Sequence, residues 1–255
     1  MLYAVDIGNS TVSIGIFDDD RVLHSFGFPT SKGMTVHELE EIVTVTLSER
    51  RVSMEEVSGS IVASVVPELD RVFREVLREA FDYEPVFVDY KMDLGITVNL
   101  ASPEDIGIDR LVNACAANKV YDEEVIIVDF GTAITFDHLT AEGKFSGGVI
   151  APGAKTALDA LISRASRIGD VEPEKPERVI GKDTKEAVRS GIFYGYLGLV
   201  CKIINKIKQE IGKDVKVIAT GGAYPLFEGE LDLVDVYDEH LTLKGLINSY
   251  RLNVK

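Results

Sequence analysis

The sequence predicts an α/β protein built from two duplicated units, each a mixed sheet flanked by helices. Two observations predict it. Three hairpin-linked strands, followed by helices alternating with strands, occur twice along the chain. Each copy also opens on the same local order of strand, acid, glycine, hydroxyl and strand, first at Asp6-Ile-Gly-Asn-Ser10 and again at Asp129-Phe-Gly-Thr132. A polar run at Asn118–Glu123 interrupts the apolar pattern between them, so the expected domains are residues 1–118 and 119–255.

In the first copy, Leu2–Ile7, Thr11–Phe17 and Arg21–Gly27 read as strands, with turn signals at Asn9-Ser10 and Asp18-Asp-Asp20. Apolar residues at Val36, Leu39, Ile42, Val43, Val45 and Leu47 give Thr35–Arg50 a helical period. Gly59–Val66 is a β-branched run, a buried strand. Pro67 opens a helix to about Ala80, with Leu69, Val72, Phe73, Val76 and Leu77 on its inner stripe. Pro85–Val88 is a short strand. Ser102-Pro103-Glu-Asp105 combines an N-cap type, an N1 proline and an early acid, and the helix it introduces becomes regular after Gly107 and runs to Val120.

In the second copy, Glu124–Asp129, Ala133–Leu139 and Lys144–Ile150 are strands, followed by helices at Gly153–Ala165 and Lys185–Ile211. Residues 167–178, rich in Pro and Glu, form a loop. Val215–Ala219 is a strand, Gly222–Phe227 a short helix, Leu233–Val236 a strand and His240–Tyr250 a final helix. Cys115 and Cys201 both fall inside apolar helical patterns and read as small buried hydrophobes rather than a disulfide.

The 255 residues carry 27 basic and 42 acidic side chains, a formal charge of −15. That balance argues against nucleic acid as the main partner, because phosphate neutralisation needs clustered Lys and Arg. No run of eighteen uncharged apolar residues occurs, so no membrane span is expected, and a start that reads straight into a strand lacks the pattern of a signal peptide. The expected location is cytoplasmic. An acidic protein can still hold an anion through backbone N–H groups and bound cations.

The hairpin motifs carry the chemistry. Gly8 allows a tight turn and close approach of backbone to a ligand, Asn9 tolerates left-handed geometry, and Ser10 and Thr11 add hydroxyl and N–H donors. Asp6, at the end of the first strand, can hold a hydrated Mg²⁺ beside phosphates. Alone this is also the pattern of an ordinary turn. Its second copy at the equivalent place points to paired phosphate-binding hairpins that would grip a triphosphate from two sides. Val217-Ile-Ala-Thr220-Gly-Gly222 runs a strand into a glycine pair against which a flat adenosine can lie. Gly147-Gly-Val-Ile-Ala-Pro-Gly153 is a further glycine-rich strand end.

Two look-alikes fail. Gly148–Gly153 has P-loop spacing, but Ala154 stands where the lysine belongs. Asp129-Phe-Gly131 spells a protein-kinase triplet without the accompanying His-Arg-Asp loop or Val-Ala-Ile-Lys strand. Gly107-Ile-Asp109-Arg110 begins a helix. Asp109 there can accept the proton of an attacking hydroxyl or aim it, and Arg110 can orient an anion. An ordinary surface pair in a first turn has the same spacing. Thr184 precedes a long helix and reads first as its N-cap.

Taken together and in order, Asp6–Ser10, Gly107–Arg110, Val128–Thr132, Gly147–Gly153, Thr184 with Glu186-Ala187 and Gly191, and Thr220–Gly222 resemble type III pantothenate kinases of the actin-like ATPase superfamily. The resemblance implies two ribonuclease-H-like domains, a homodimer, and ATP-dependent phosphorylation of pantothenate with Mg²⁺ and a monovalent cation, K⁺ or NH₄⁺. It implies that Asp6, Ile7, Gly8, Asn9, Ser10, Thr11, Val12 and Ser13 form the first ATP-phosphate loop and Thr132 the second, with Gly221 and Gly222 also at the nucleotide. Asp129 would hold the monovalent cation. Gly107, Ile108, Asp109 and Arg110 would contact pantothenate, Asp109 as proton acceptor, and Thr184 would contact it too. Where members often carry a pocket tyrosine this chain has Leu100, so contacts differ there or another aromatic such as Tyr90 substitutes. Two alternatives remain: a kinase of another small hydroxylated substrate, and a nucleotide-binding regulatory factor without kinase activity.

Overall fold

A computed structural model describes residues 1–98, 100–165 and 168–254 of the chain. It divides into two compact units, Met1–Val120 with His240–Lys255, and Tyr121–Glu239.

In the first unit, strands β1 (Leu2–Ile7), β2 (Thr11–Asp18), β3 (Arg21–Pro29), β4 (Gly59–Ser64) and β5 (Val86–Phe87) lie in the order β3-β2-β1-β4-β5. The first three are antiparallel, and β4 and β5 add in parallel. Alternation along β1 sends Tyr3, Val5 and Ile7 to one face. There they form a core with Leu39, Val43 and Leu47 of helix α1 (Val36–Glu49) and Phe73, Val76 and Leu77 of helix α2 (Pro67–Phe81). Thr35 caps α1 in a reciprocal box with Glu38, which satisfies two backbone donors that helix formation would otherwise orphan. A short two-residue strand, β6 (Thr97–Val98), and a 3₁₀ turn over Pro103–Asp105 lead to helix α3 (Ile108–Tyr121), regular from just after Gly107 as its sequence implies.

The second unit repeats this topology. Strands β7 (Val125–Phe130), β8 (Ala133–Leu139), β9 (Lys144–Pro152), β10 (Lys216–Thr220) and β11 (Val236–Tyr237) take the order β11-β10-β7-β8-β9. Again three are antiparallel and the last two add in parallel. Helix α4 (Ala154–Arg164) and the long helix α5 (Thr184–Ile211) follow β9. Phe193, Tyr196, Val200 and Ile204 of α5 fill a core with Ile126, Val128, Phe130, Phe136, Val217 and Phe227. The short helix expected near Gly222–Phe227 is a 3₁₀ turn over Tyr224–Phe227. Of the loop expected over 167–178, Arg167 lies outside the described residues, and 168–178 forms neither helix nor strand. Cys115 and Cys201 are free thiols; Cys115 is buried and Cys201 half-buried.

The last helix, α6 (Leu241–Asn253), which the sequence expectation grouped with the second domain, packs on the first unit's sheet against β1, β2 and β4. It covers the face opposite Tyr3 and Val5. Small residues make room there: a Cβ at Gly15 would stand 3.1 Å from Leu243 and one at Gly59 would meet the Tyr250 hydroxyl. Helix α3 packs on α6 in turn. Gly245 brings the two helices so close that a Cβ would lie 2.8 Å from the Val112 carbonyl carbon and overlap its oxygen. Gly245→Ala therefore forces backbone apart and is expected to cost about 1–3 kcal/mol. A lower urea midpoint with an unchanged slope is the expected result.

Candidate active site

The first hairpin is pinned by the end of β3. Ile7 pairs with Val12 across the turn, and the Gly8 N–H donates to the Thr11 carbonyl (3.1 Å). Thr30, just past Pro29, holds the turn by two bonds. Its hydroxyl donates to the Gly8 carbonyl (2.7 Å) and its N–H to the Ser10 carbonyl (3.0 Å). Neither Gly8 nor Asn9 takes a left-handed φ; the described non-glycine residues that do are Asp19, Arg51, Asp82 and Asp122. Asn9 and Ser10 are exposed at the tip. Asp6 is half-buried on the face that α6 covers, across from Ser13 on β2 and Ala63 on β4.

The second hairpin has the same construction, one residue shorter. The Gly131 N–H donates to the Ala133 carbonyl (3.0 Å), and the Thr132 carbonyl accepts from the Gly153 N–H (2.9 Å) and the Thr156 hydroxyl (2.7 Å). Gly153 follows Pro152 at the end of β9, and a Cβ there would stand 2.3 Å from the Gly131 carbonyl oxygen, so no larger residue fits. Asp129 is half-buried, opposite Thr135 on β8 and Thr220 on β10. The glycine pair after β10 packs directly on it. Gly221 has φ +92°, and a Cβ at that position would lie 2.4 Å from Asp129 Oδ1 and 2.6 Å from the Phe130 N and O atoms. The Ala223 N–H then donates to the Phe130 carbonyl (3.0 Å). This unit thus brings Asp129, Thr132, Gly153, Gly221 and Gly222 to one end of its sheet.

At the start of α3, the Asp109 carboxylate folds back over its own helix. Its Oδ1 accepts from the Arg110 N–H (2.9 Å). Gly107 makes that possible: a Cβ on it would stand 2.5 Å from Oδ1. Burial pushes the Asp109 carboxyl above its ordinary pKa, while the Arg110 N–H and guanidinium pull the other way. Ile108 is the first residue of the helix, and Arg110 is half-buried.

A family profile described as type III pantothenate kinase matches residues 2–206. A type III pantothenate kinase of Desulfosudis oleivorans is 39% identical over 247 residues, covering 96% of this chain and 97% of the relative. The chain belongs to the type III pantothenate kinase family. Among solved structures, a Baf-family protein of Campylobacter jejuni superposes with a TM-score of 0.60 at 18% identity, covering 98% of this chain and 97% of that one. A ROK family glucokinase of Streptomyces griseus, solved with glucose and AMPPNP, superposes with a TM-score of 0.51 at 12% identity, covering 99% and 98%. These likenesses agree with the duplicated sheets in placing the chain in the actin-like ATPase fold.

Within this pantothenate kinase chain, Thr184 is not the cap of α5. Asp183 is: its carboxylate accepts from the Glu186 N–H (2.9 Å), and Glu186 in turn accepts from the Lys182 N–H (2.8 Å). Thr184 is the exposed first residue of the helix. Asp outranks Thr slightly as a cap, and the acid three residues after Asp183 reaches past it to the N–H of the preceding residue, Lys182. Leu100 and Tyr90 are both exposed, at 36% and 43%. Thr30 and Thr156 escaped the sequence reading altogether. The available signal was a hydroxyl shortly after a proline that ends the third strand in each copy. Gly107→Ala should displace the Asp109 carboxylate while leaving the fold intact, because only a side-chain tip has to move. With Asp109 in the proton-acceptor role proposed below, turnover is expected to fall at least about 10-fold, since small misplacements of reacting groups cost that much or more. Thermal melting should shift little; unchanged turnover would show that this carboxylate position does not matter.

Proposed function

We propose that this chain transfers the γ-phosphoryl group of ATP to the 4′-hydroxyl of pantothenate, giving 4′-phosphopantothenate and ADP, the first step of coenzyme A synthesis. The observation that carries the reading is the family match along residues 2–206. ATP is the phosphoryl donor. Residues Asp6, Ile7, Gly8, Asn9, Ser10, Thr11, Val12 and Ser13, with Thr132, contact its phosphates, and Gly221 and Gly222 lie against its nucleoside. Gly107, Ile108, Asp109, Arg110 and Thr184 contact pantothenate.

In the transfer, the substrate hydroxyl oxygen forms a bond to the γ-phosphorus as the bond from phosphorus to the bridging oxygen breaks, and ADP leaves. Asp109 aims the hydroxyl and receives its proton. Its raised pKa makes it a better base than an ordinary carboxylate, and the Arg110 N–H holds one oxygen in place. Arg110 orients an anionic group.

No cluster of three His, Cys, Asp or Glu side chains suited to a metal occurs among the described residues. Mg²⁺ is commonly held by one or two carboxylates plus substrate phosphates, here with Asp6 as the protein ligand, directly or through water. Asp129 suits a monovalent cation, K⁺ or NH₄⁺: across the strand pair from it, the Thr135 hydroxyl is buried with no hydrogen-bond partner among the described residues. Bound there, such ions neutralise phosphate charge that an acidic protein would otherwise repel.

A homodimer through α5 completes the reading. By length and composition α5 is the one helix among the described residues apolar enough to cross a bilayer, yet only 28% of its most apolar stretch is buried. Gly191, Gly195 and Gly198 lie on its exposed face beside Tyr194, which permits close approach of another helix. A protein of net charge −15 that acts on ATP is proposed to work in the cytoplasm, away from nucleic acid and membrane. A solution mass of twice the chain is expected from light scattering; a monomer would rule the dimer out.

ADP release should depend on pantothenate, Mg²⁺ and K⁺. Intact protein without pantothenate-dependent turnover would refute the function. Asp109→Asn is expected to lower kcat about 10²- to 10⁴-fold. The pH dependence has a defined sign. Activity needs the ionised carboxylate, and burial raises its pKa, so turnover should fall with acid beginning above the ordinary carboxylate value of about 3.9. The native state binds this proton more tightly than the unfolded chain does, so ionisation of Asp109 opposes folding as pH rises through the native pKa. Asn keeps an acceptor for the Arg110 N–H and removes the buried charge. The melting temperature at pH 7 should therefore not drop in Asp109→Asn, even as activity is lost.

A further inference from the structure

The two hairpins are held by a matched pair of clamps. In the first unit Thr11 faces Pro29, in the second Ala133 faces Pro152. Those pairs align Ser10 with Thr132 and Thr30 with Gly153. At both places the residue after the proline donates its N–H to the hairpin carbonyl, Thr30 to Ser10 (3.0 Å) and Gly153 to Thr132 (2.9 Å). At both places a threonine hydroxyl adds a second bond at the same length, Thr30 to Gly8 (2.7 Å) and Thr156 to Thr132 (2.7 Å). The first unit has room for a side chain after its proline. The second does not, because a Cβ at Gly153 would overlap the Gly131 and Thr132 carbonyls, and the hydroxyl comes instead from the first turn of α4.

A trans peptide is planar, with its C=O and N–H pointing in opposite directions. Fixing the Gly8 and Ser10 carbonyls on Thr30 therefore turns the N–H groups of Asn9 and Thr11 the other way. Fixing the Thr132 carbonyl does the same for Ala133. N–H groups aimed outward from a turn offer an anion what it requires. Resting on the phosphate-hairpin reading above, we propose that Thr30 and Thr156 are positioning residues for phosphoryl transfer: their hydroxyls lock the turn carbonyls so that the hairpin N–H groups stay aimed at ATP phosphate oxygens.

The two clamps differ in strength. Thr30 is half-buried, and its hydroxyl is the bond that engages the Gly8 carbonyl. Thr156 is exposed, and the Thr132 carbonyl keeps the Gly153 N–H if the hydroxyl is lost. Thr30→Val and Thr156→Val remove each hydroxyl while keeping branched shape and backbone. Thr30→Val is expected to raise KM for ATP, lower kcat, or both, by roughly 5-fold in kcat/KM, the worth of one net hydrogen bond. Thr156→Val should do less, and the double variant more than either. KM for pantothenate should stay at the wild-type value in all three. Thr30→Ser should restore ATP kinetics, which general loosening of the fold would not predict. If Thr30→Val does not fold, the comparison passes to Thr30→Ser against Thr30→Ala.

Asp6→Asn separates this proposal from the reading beneath it. Unchanged ATP kinetics in Asp6→Asn would mean the hairpin is not a phosphate site, and both would fall. A defect in Asp6→Asn with wild-type ATP kinetics in Thr30→Val and Thr156→Val would overturn the clamps alone. An equal loss for ATP and pantothenate that serine fails to rescue would also overturn them.

Discussion

Pro29 and Pro152 each end the third strand of a sheet, and the residue after each proline gives its N–H to a hairpin carbonyl. A proline donates no N–H to the ladder, so it is tolerated where a strand stops. The next N–H continues the same register onto the turn, since Thr30 stands opposite Ser10 and Gly153 opposite Thr132. Through this one bond the end of the third strand fixes the tip of the first hairpin. In the second unit the effect spreads further. Gly153 begins α4, and the Tyr196 hydroxyl of α5 reaches the carbonyls of both Pro152 and Gly153 (2.9 and 3.1 Å). Gly221 closes on the other side against Asp129 and Phe130. Strand, helix and glycine pair thus all pack around two short segments, 129–132 and Pro152-Gly153.

In the proposed role, this construction answers the charge problem of an acidic ATP enzyme. With 42 acidic and 27 basic residues the chain as a whole repels phosphate. Backbone N–H groups add attraction without changing net charge, and they cost little reorganisation when their carbonyls are already held. The acids that do stand at the strand ends, Asp6 and Asp129, each face a hydroxyl residue across the antiparallel pair, Ser13 and Thr135. In the proposed roles they recruit cations, and cations bring the phosphates with them.

Much of the fold was legible in the residues. The repeated order of three hairpin strands then alternating helices and strands is a local pattern, and the two sheets reproduce it with the same strand order. The place of Asp6, Gly8, Asp129 and Gly131 at strand ends was legible for the same reason. Helix α6 was not, because what assigns it to the first sheet is a contact some two hundred residues away in sequence. Its only trace is small residues, Gly15 and Gly59, on the strand face that Leu243 and Tyr250 cover. Asp183 was missed as the cap of α5 because Thr184 and Asp183 are both good capping types, and the slight preference for Asp is a weak signal beside the bond that Asp183 accepts from the Glu186 N–H. Thr30 and Thr156 were missed because a hydroxyl shortly after a strand-ending proline is a weak signal; the matched bonds in the two units single them out.

Asp109 shows what burial contributes beyond placement. A surface aspartate at a helix start is fully ionised and weakly basic, because water and the helix dipole both favour its charge. Drawing it inward raises its pKa and so its basicity. Carried too far, the same shift would leave it protonated at neutral pH and useless as an acceptor. The Arg110 N–H and guanidinium oppose that excess, and they act on a carboxylate whose position the missing side chain of Gly107 permits. Basicity, ionisation and aim are therefore set together by three consecutive constraints in Gly107-Ile-Asp109-Arg110. Substituting any one of them shifts the balance among all three, which is why a motif of ordinary residue types can carry the acceptor role in the proposed reaction.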